Sequence, residues 1–381
     1  EVTPFAIDPP ADERPALDPG PPPLLGDPAT DAEFREAVLE VIAHSAVLDP
    51  SDPTTVDIGP VSQGDRTIGS YEPLGRATNP VTGTPYEPNE VALGDYGRVV
   101  AEFWADGPSS ETPPGHWNTL ANTVTDALGG DRRIAGESEP VDALEWDVKL
   151  YLALNGALHD AAVAGWGSKG YYDYTRPISM IRYMGGLGQS TLPDAPSYDP
   201  DGLPLSPDLV EVITTDTAAP GGPHAHLADF VGEVAVRSWT GTPADPETEV
   251  GGVGWIRAVE WVPYQLPTFV TPAFAGYVSG HSTFSRAAAE VLTSITGSEY
   301  WPGGLGEWTI AADSLEFEAG PAEPVTLQWA TYADAADEAG RSRLYGGIHV
   351  RADDLAGRMV GQQAGEAAWE LASRHYAGTV G

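Results

Sequence analysis

Ser279-Gly-His-Ser-Thr-Phe-Ser-Arg-Ala-Ala-Ala-Glu-Val-Leu292 reads as a helix that carries its own start signal. Ser279 is a favoured N-cap, Gly280 leaves room at the first turn, and the residues from Ser282 onward have helical composition. A helix N-terminus offers free N–H groups and the positive end of the helix dipole to an anion. His281, in the first turn, is placed to act as an acid or base beside it.

Two other segments extend this anion site. Upstream lies Lys169-x6-Arg176-Pro177, and downstream lies Ser342-Arg343-x5-His349-x3-Asp353. With Ser279, Gly280 and His281 they supply three cations and two histidines. Arg forks and a Lys point charge suit a tetrahedral or trigonal-bipyramidal oxyanion, because they meet several oxygens at once. Pro177 biases Arg176 away from helical backbone and so sets the direction in which that side chain leaves. Asp353, four residues after His349, shares a helix face with it if the helix begins near His349, and would then fix its orientation or tautomer. Taken singly, each segment has a plain alternative: two solvated bases, a capped helix with an exposed histidine, a surface His–Asp pair. Their joint presence in one chain gives them weight.

The chain has 381 residues, 41% apolar and 9% aromatic, an ordinary globular composition. Fifty-six acidic residues against 19 basic ones give a net charge of −37, so the outer field repels nucleic acid and anionic membranes, and neither is expected as a partner. An anion site here has to be a local concentration of bases. Lys169, Arg176, Arg182, Arg341, Arg343 and Arg351 provide it, and Lys169 is one of only two lysines. The absence of cysteine excludes disulfides, thiolate metal sites and cysteine nucleophiles. The most apolar run, from Leu150 to Trp166, is interrupted by Asn155, His159 and Asp160, so no membrane span is expected. The chain opens at Glu1 without a signal-like run, which suggests a trimmed chain and a secreted or periplasmic protein.

The first 30 residues contain nine prolines and no apolar periodicity, and read as an extended arm. Residues 31–381 read as a single helical domain. Asp31 suits an N-cap, with Phe34, Val38, Val41 and Ile42 on one face of the helix that follows. Further helices are expected from about Val91 to Phe103 and over roughly 116–128, 141–166, 224–238, 281–296, 327–345 and 352–376. Residues 185–223 and 240–275 carry much Gly and Pro, and such long connections often shape active sites. The fold class expected is all-α, a helical-bundle core of two packed four-helix bundles with long irregular loops. His224 and His226 would point about 200° apart at a helix start, a poor pair of metal ligands. His116 reads as a structural residue near the site.

With their flanks, the three segments resemble the pattern shared by vanadium-dependent haloperoxidases and the type-2 phosphatidic acid phosphatase superfamily. Thr271-Pro-Ala-Phe-Ala-Gly-Tyr-Val-Ser-Gly-His-Ser-Thr-Phe284 and Ser342-Arg-Leu-Tyr-Gly-Gly-Ile-His349 look like the bacterial haloperoxidase branch, as do Phe103-Trp-Ala-Asp-Gly-Pro108 and Thr112-Pro-Pro-Gly-His-Trp-Asn118. Val278, where many relatives have Pro, and Arg286, where a small residue is frequent, depart from the pattern without removing a functional group.

The resemblance implies vanadate as cofactor, with phosphate able to occupy the same site. Lys169, Arg176, Ser279, Gly280 and Arg343 would bind its oxygens, His349 would coordinate the metal, and His281 would be the acid/base residue. Asp106 would hold Arg343 and His281 in register, and Trp166 and Phe274 would line the halide side. Hydrogen peroxide and halide, bromide or chloride, would be the substrates, giving hypohalous acid or a halogenated small organic acceptor; a homodimer is in keeping with relatives. Coordination requires neutral His349, so vanadate affinity is expected to fall in acid. The alternative is a soluble acid phosphatase in which His349 attacks phosphorus, giving a phosphohistidine, and His281 protonates the leaving alcohol.

Overall fold

The structure is a computed structural model that describes residues 2–10, 13–107 and 110–380. Its longest helix is α5 (Ala143–Tyr172), started by Asp142, whose side chain accepts from Glu145 N–H, and buried along Leu150, Ala153, Leu154, Ala157, Ala161 and Ala164. Before it come α1 (Asp31–Ala46), the short α2 (Pro60–Gln63), α3 (Leu93–Phe103) and α4 (Pro113–Leu128). After it come α6 (Pro177–Leu187), α7 (Gly280–Thr296), α8 (Tyr332–Tyr345) and α9 (Arg351–Tyr376).

The core is a bundle of α5, α7, α8 and α9, with α4 packed alongside. The α7–α9 contact is the most extensive of these, and the sequence of α9 explains it. A Cβ at Gly357 would lie 2.8 Å from Ser279 O, one at Gly361 2.4 Å from Thr283 O, and one at Gly365 2.7 Å from Ala287 O. Three glycines at i, i+4 and i+8 thus let one ridge of α9 settle against the backbone of α7. The helical-bundle core expected from the sequence is thus present. Among the described residues α1, α3 and α6 are held individually: α1 on a strand and on α8, α3 on α8, and α6 beside α1.

Three small antiparallel sheets stand in the connections: β1 (Thr55–Asp57) with β2 (Glu90–Ala92), β3 (Val210–Val212) with β4 (Val234–Trp239) and β5 (Val253–Arg257), and β6 (Gly306–Ile310) with β7 (Val325–Trp329). The helix expected over 224–238 is therefore not formed. A short 3-10 turn covers Ala225–Phe230, and β4 follows, because Val234, Val236 and Trp239 suit a pleated, buried ribbon paired on both edges. The segment expected as helix 327–345 begins as β7, and a capping box between Thr331 and Asp334 starts α8. Helix α6 was not anticipated; Pro177 occupies its first turn, where a missing N–H costs nothing.

Residues 2–10 and 13–30 contain neither helix nor strand. They are nonetheless tied down. The N–H groups of Phe5, Ala6 and Ile7 donate to the carboxylate of buried Asp160 at 2.6, 2.7 and 2.9 Å. Farther along, Tyr172 donates to Asp18, Tyr174 to Pro23 O and Tyr277 to Gly20 O. Among the described residues no helix is long and apolar enough to cross a membrane.

Candidate active site

The C-terminal ends of α5 and α8 meet the N-terminal ends of α6, α7 and α9 at one place, and there the three sequence segments converge. Helix α5 runs on past Trp166, so Lys169 lies in its last turn rather than in a loop after it. Arg176, extended at φ −103°, ψ 154°, is the N-cap of α6. Ser279 caps α7, its hydroxyl accepting from Ser282 N–H at 3.3 Å. Arg343 closes α8, and the chain turns through Gly346 and Gly347 into His349. At Gly347 φ is +68°, and a Cβ would lie 2.8 Å from Pro263. Only glycine makes that turn without strain.

His349 and Asp353 do pair, Nδ1 to Oδ2 at 2.8 Å, but not as neighbours on a helix face. α9 begins at Arg351, so His349 stands outside it. Asp353, in the first turn, reaches back to both the His349 ring and Val350 N–H (3.2 Å). Nε2 of His349 lies 3.1 Å from an Arg176 nitrogen. Because an arginine only donates, Nε2 must be the bare nitrogen and Nδ1–H must donate to Asp353. Burial, followed by the charges of Arg176 and Lys169, holds the His349 pKa well below its usual value. The ring is neutral, with a lone pair directed away from Asp353.

The cations are held by carbonyls. Arg176 donates to Ile348 O (2.7 Å), Phe274 O (3.1 Å) and Ala275 O (3.2 Å). Lys169 Nζ donates to the carbonyls of Ala275, Gly276 and Val278 at 2.9, 2.9 and 2.6 Å. Arg343 donates to Ser342 Oγ (2.9 Å) and to Ala101 O (2.7 Å), a carbonyl in the last turn of α3 that the helix itself does not pair. Burial lowers all three: Arg176 to about 10, Arg343 to about 9, and Lys169 strongly, with Arg176 adding to the shift and Asp353 opposing it. His281 is likewise held well below its usual pKa, first by burial and then by Arg343, and its buried Nε2 has no partner.

These groups floor a cavity of about 430 Å³ whose wall includes Arg176, Gly280, His281, Arg343 and His349. Lys169 and Ser279 stand one layer behind that wall, since their polar atoms are turned onto the main chain. Trp166 and Phe274, each 44% exposed, face the cavity with ring centroids 5.4 Å apart. Lys169 Nζ and Arg176 Cζ each lie 5.3 Å from the Phe274 ring centre, within cation–π range.

Asp106 lies on the cavity rim but does not join Arg343 to His281. Among the described residues no hydrogen bond or ion pair links it to either, and Ala101 O takes Arg343 instead. Burial raises its carboxyl, and Arg343 opposes the rise through charge alone. His116 packs against the rings of Phe103 (4.6 Å) and Trp104 (4.8 Å) behind the wall, in keeping with a structural role. His224 bonds Thr217 while His226 bonds Trp255 O, so the two share no ligand. Among the described residues no three His, Asp or Glu side chains cluster to hold a bare metal ion. The donor set fits an anionic oxo species resting on cations, helix N–H groups and one imidazole nitrogen.

Reading the sequence missed the upper wall: Gln265, Leu266, Phe269 and Pro272 from the connection over 240–275, with Phe284 and Phe317. That connection was marked as one that shapes a site. Its aromatic and apolar residues have no spacing that would single them out.

Fold and site together define a helical-bundle protein with a cationic, histidine-bearing cavity where the helix ends meet. A family model described as the VCPO second helical-bundle domain matches residues 149–378, more than half of the chain. The chain belongs to that family, the vanadium haloperoxidases. An apo-type bacterial vanadium-dependent chloroperoxidase is similar in fold, with 17% identity and a TM-score of 0.58 over 96% of this chain and 55% of that one. A holo-type structure gives 18%, 0.54, 94% and 52%. The chain thus spans little more than half the length of these proteins, and at such identity the likeness is one of fold. No curated protein matches.

Proposed function

We propose that the chain is a vanadate-dependent haloperoxidase that uses hydrogen peroxide to oxidise halide to hypohalous acid. The observation that carries this reading is His349. Its Nδ1–H is committed to Asp353, and its bare Nε2 stands beside Arg176 at a cavity that also holds Arg343 and the unpartnered Nε2 of His281.

Bound vanadate would supply a Lewis-acidic centre that activates peroxide without changing its own oxidation state. The chain's residues do the rest. His349 Nε2 would hold the metal, while Arg176, Arg343 and, from behind, Lys169 would offset the negative charge. The free N–H groups at the start of α7 would donate to its oxygens. His281, neutral and with an unpartnered Nε2, would take the proton that peroxide gives up. Trp166 and Phe274 keep water from the halide side. Bromide is the expected halide and chloride a second one.

The same cradle fits phosphate, and the phosphomonoesterase reading finds no support in the comparisons. Halogenation of a phenol-type dye with vanadate, peroxide and bromide, run beside hydrolysis of p-nitrophenyl phosphate, separates the two. Dye halogenation that requires vanadate and disappears in His349→Ala supports the proposal. Phosphate ester hydrolysis without halogenation overturns it.

A further inference from the structure

Two of the three buried cations rest on one short segment of chain. Lys169 gives its three ammonium donors to the carbonyls of Ala275, Gly276 and Val278, and Arg176 donates to those of Phe274 and Ala275. The segment lies within residues 261–279, which contain neither helix nor strand, so no ladder of its own holds it. Apart from the bonds to the cations, residues 274–278 make two hydrogen bonds among the described residues. Gly276 N–H donates to Tyr174 O at 2.8 Å, and the Tyr277 hydroxyl donates to Gly20 O at 2.8 Å. Both lead to the N-terminal arm, because the Tyr174 hydroxyl donates in turn to Pro23 O at 2.6 Å. Tyr172 adds a third bond, to Asp18 at 2.5 Å, and its ring meets the edge of Tyr277 with centroids 5.3 Å apart.

The arm's sequence explains why it offers acceptors here. Gly20-Pro-Pro-Pro23 has no N–H at its three prolines and favours polyproline II, a backbone whose carbonyls find no partner within their own segment. Three residues per turn face Gly20 O and Pro23 O the same way, toward Tyr277 and Tyr174. Helix α5 guides the arm to this place. The Phe5 ring fills the space beside Gly156, where a Cβ would lie 2.4 Å from it, Pro15 lies beside Gly167, and Asp18 reaches Tyr172. The arm therefore follows the helix that carries Lys169 and ends against the back of the segment that seats that lysine.

We infer that the arm is part of the anion site: residues 18–23 brace it from behind, and Tyr174 and Tyr277 are positioning residues that set the carbonyls on which Lys169 and Arg176 rest. This rests on the cradle being an oxyanion site, and not on what is then done to the anion. An anion gains fully from cations only when they are fixed in advance; where the segment is loose in the free protein, binding must re-form it and is weaker by what that costs. The loss equals the net worth of the bonds removed, about fivefold in affinity for one neutral hydroxyl bond. Displacing the arm lowers anion affinity without touching any group in the cavity.

The test is calorimetric titration with sulfate at pH 7. Tyr174→Phe and Tyr277→Phe each keep the ring and remove one hydroxyl; each should weaken sulfate about fivefold, and the pair about 25-fold if the two act independently. Tyr86→Phe is the control. Tyr86 is a buried tyrosine away from the cavity whose hydroxyl donates to Gly304 O at 2.6 Å, so its loss should lower stability to a similar extent and leave sulfate affinity unchanged. A second measurement needs no variant, because coupling between two sites is reciprocal. Saturating sulfate should slow cleavage of the arm by proteinase K severalfold at matched ionic strength. Sulfate affinity that neither tyrosine variant changes, an equal loss in Tyr86→Phe, or an arm that sulfate does not protect would each overturn the brace. Failure of the unaltered protein to bind sulfate would refute the oxyanion reading itself, and the brace with it.

Discussion

His349 and Asp353 form a buried pair, Nδ1 to Oδ2 at 2.8 Å, and through it a carboxylate decides which nitrogen of the ring is available to the cavity. The same carboxyl faces Lys169 and Arg176, whose charges oppose the rise that burial imposes on it. Asp353→Asn removes the charge while nearly preserving shape. Partners of this kind contribute roughly 10- to 100-fold in metal affinity or activity. Vanadate titration of the variant should show a loss of that size with circular dichroism unchanged, whereas unchanged affinity would detach Asp353 from the site.

The pH dependence of anion binding follows from the same burial. The sequence led to an expected loss of affinity in mild acid, as His349 gained a proton. His349 is held well below its usual pKa, so it remains neutral there and that loss moves to lower pH. Lys169 is lowered by burial and by Arg176, so in the free protein its charge is lost as pH rises above neutral. An anion needs that charge, so affinity should fall on the alkaline side. Sulfate, whose charge is constant across the range, is a suitable probe. Calorimetry from pH 5 to 9 should show binding sustained toward pH 5 and weakening toward pH 9. Affinity that rises with pH would contradict the assignment.

Packing of α9 on α7 gives a stability prediction with an internal control. Gly361→Ala would place a Cβ 2.4 Å from Thr283 O, a main-chain atom that cannot swing aside. Overpacking of roughly 1–3 kcal/mol should outweigh the helix-propensity gain of about 1 kcal/mol. Gly170→Ala, in α5 with nothing within 4 Å of the added carbon, should instead stabilise by up to about 1 kcal/mol. Urea denaturation of both variants measures the two signs. A stabilised Gly361→Ala would mean that the helices are not in close contact.

Asp160 anchors the N-terminal arm through three N–H donors. Asp160→Ala leaves them without an acceptor and should cost on the order of 3 kcal/mol. The arm would come away from α5, and limited proteolysis should then cut within the first twenty residues at a protease level the unaltered protein survives. Equal resistance would show that packing alone holds the arm.

Much of the site was legible because its chemistry is carried by residue types that are scarce in this acidic chain. One of only two lysines, a helix-opening Ser-Gly-His and a His-x3-Asp stand in local sequence, and the bundle brings them together as their joint presence suggested. The 3.6-residue pattern of α5, α7 and α9 was equally plain. What failed lay where a local pattern has two physical outcomes. The Val234–Trp239 run suits a helix or a ribbon, and only strands β3 and β5 on its two edges decide for the ribbon.

The sequence by itself determined the cradle's chemical inventory and the helical class, because charge, hydrogen-bonding capacity and periodicity belong to individual residues and short spans. Tertiary structure alone decided the rest. It assigned Ala101 O, not Asp106, to Arg343, set Lys169 behind the wall, and fixed the bare nitrogen of His349. Each of these depends on which donor meets which acceptor across a long separation in the chain, and that choice is made by the geometry of packed helix ends.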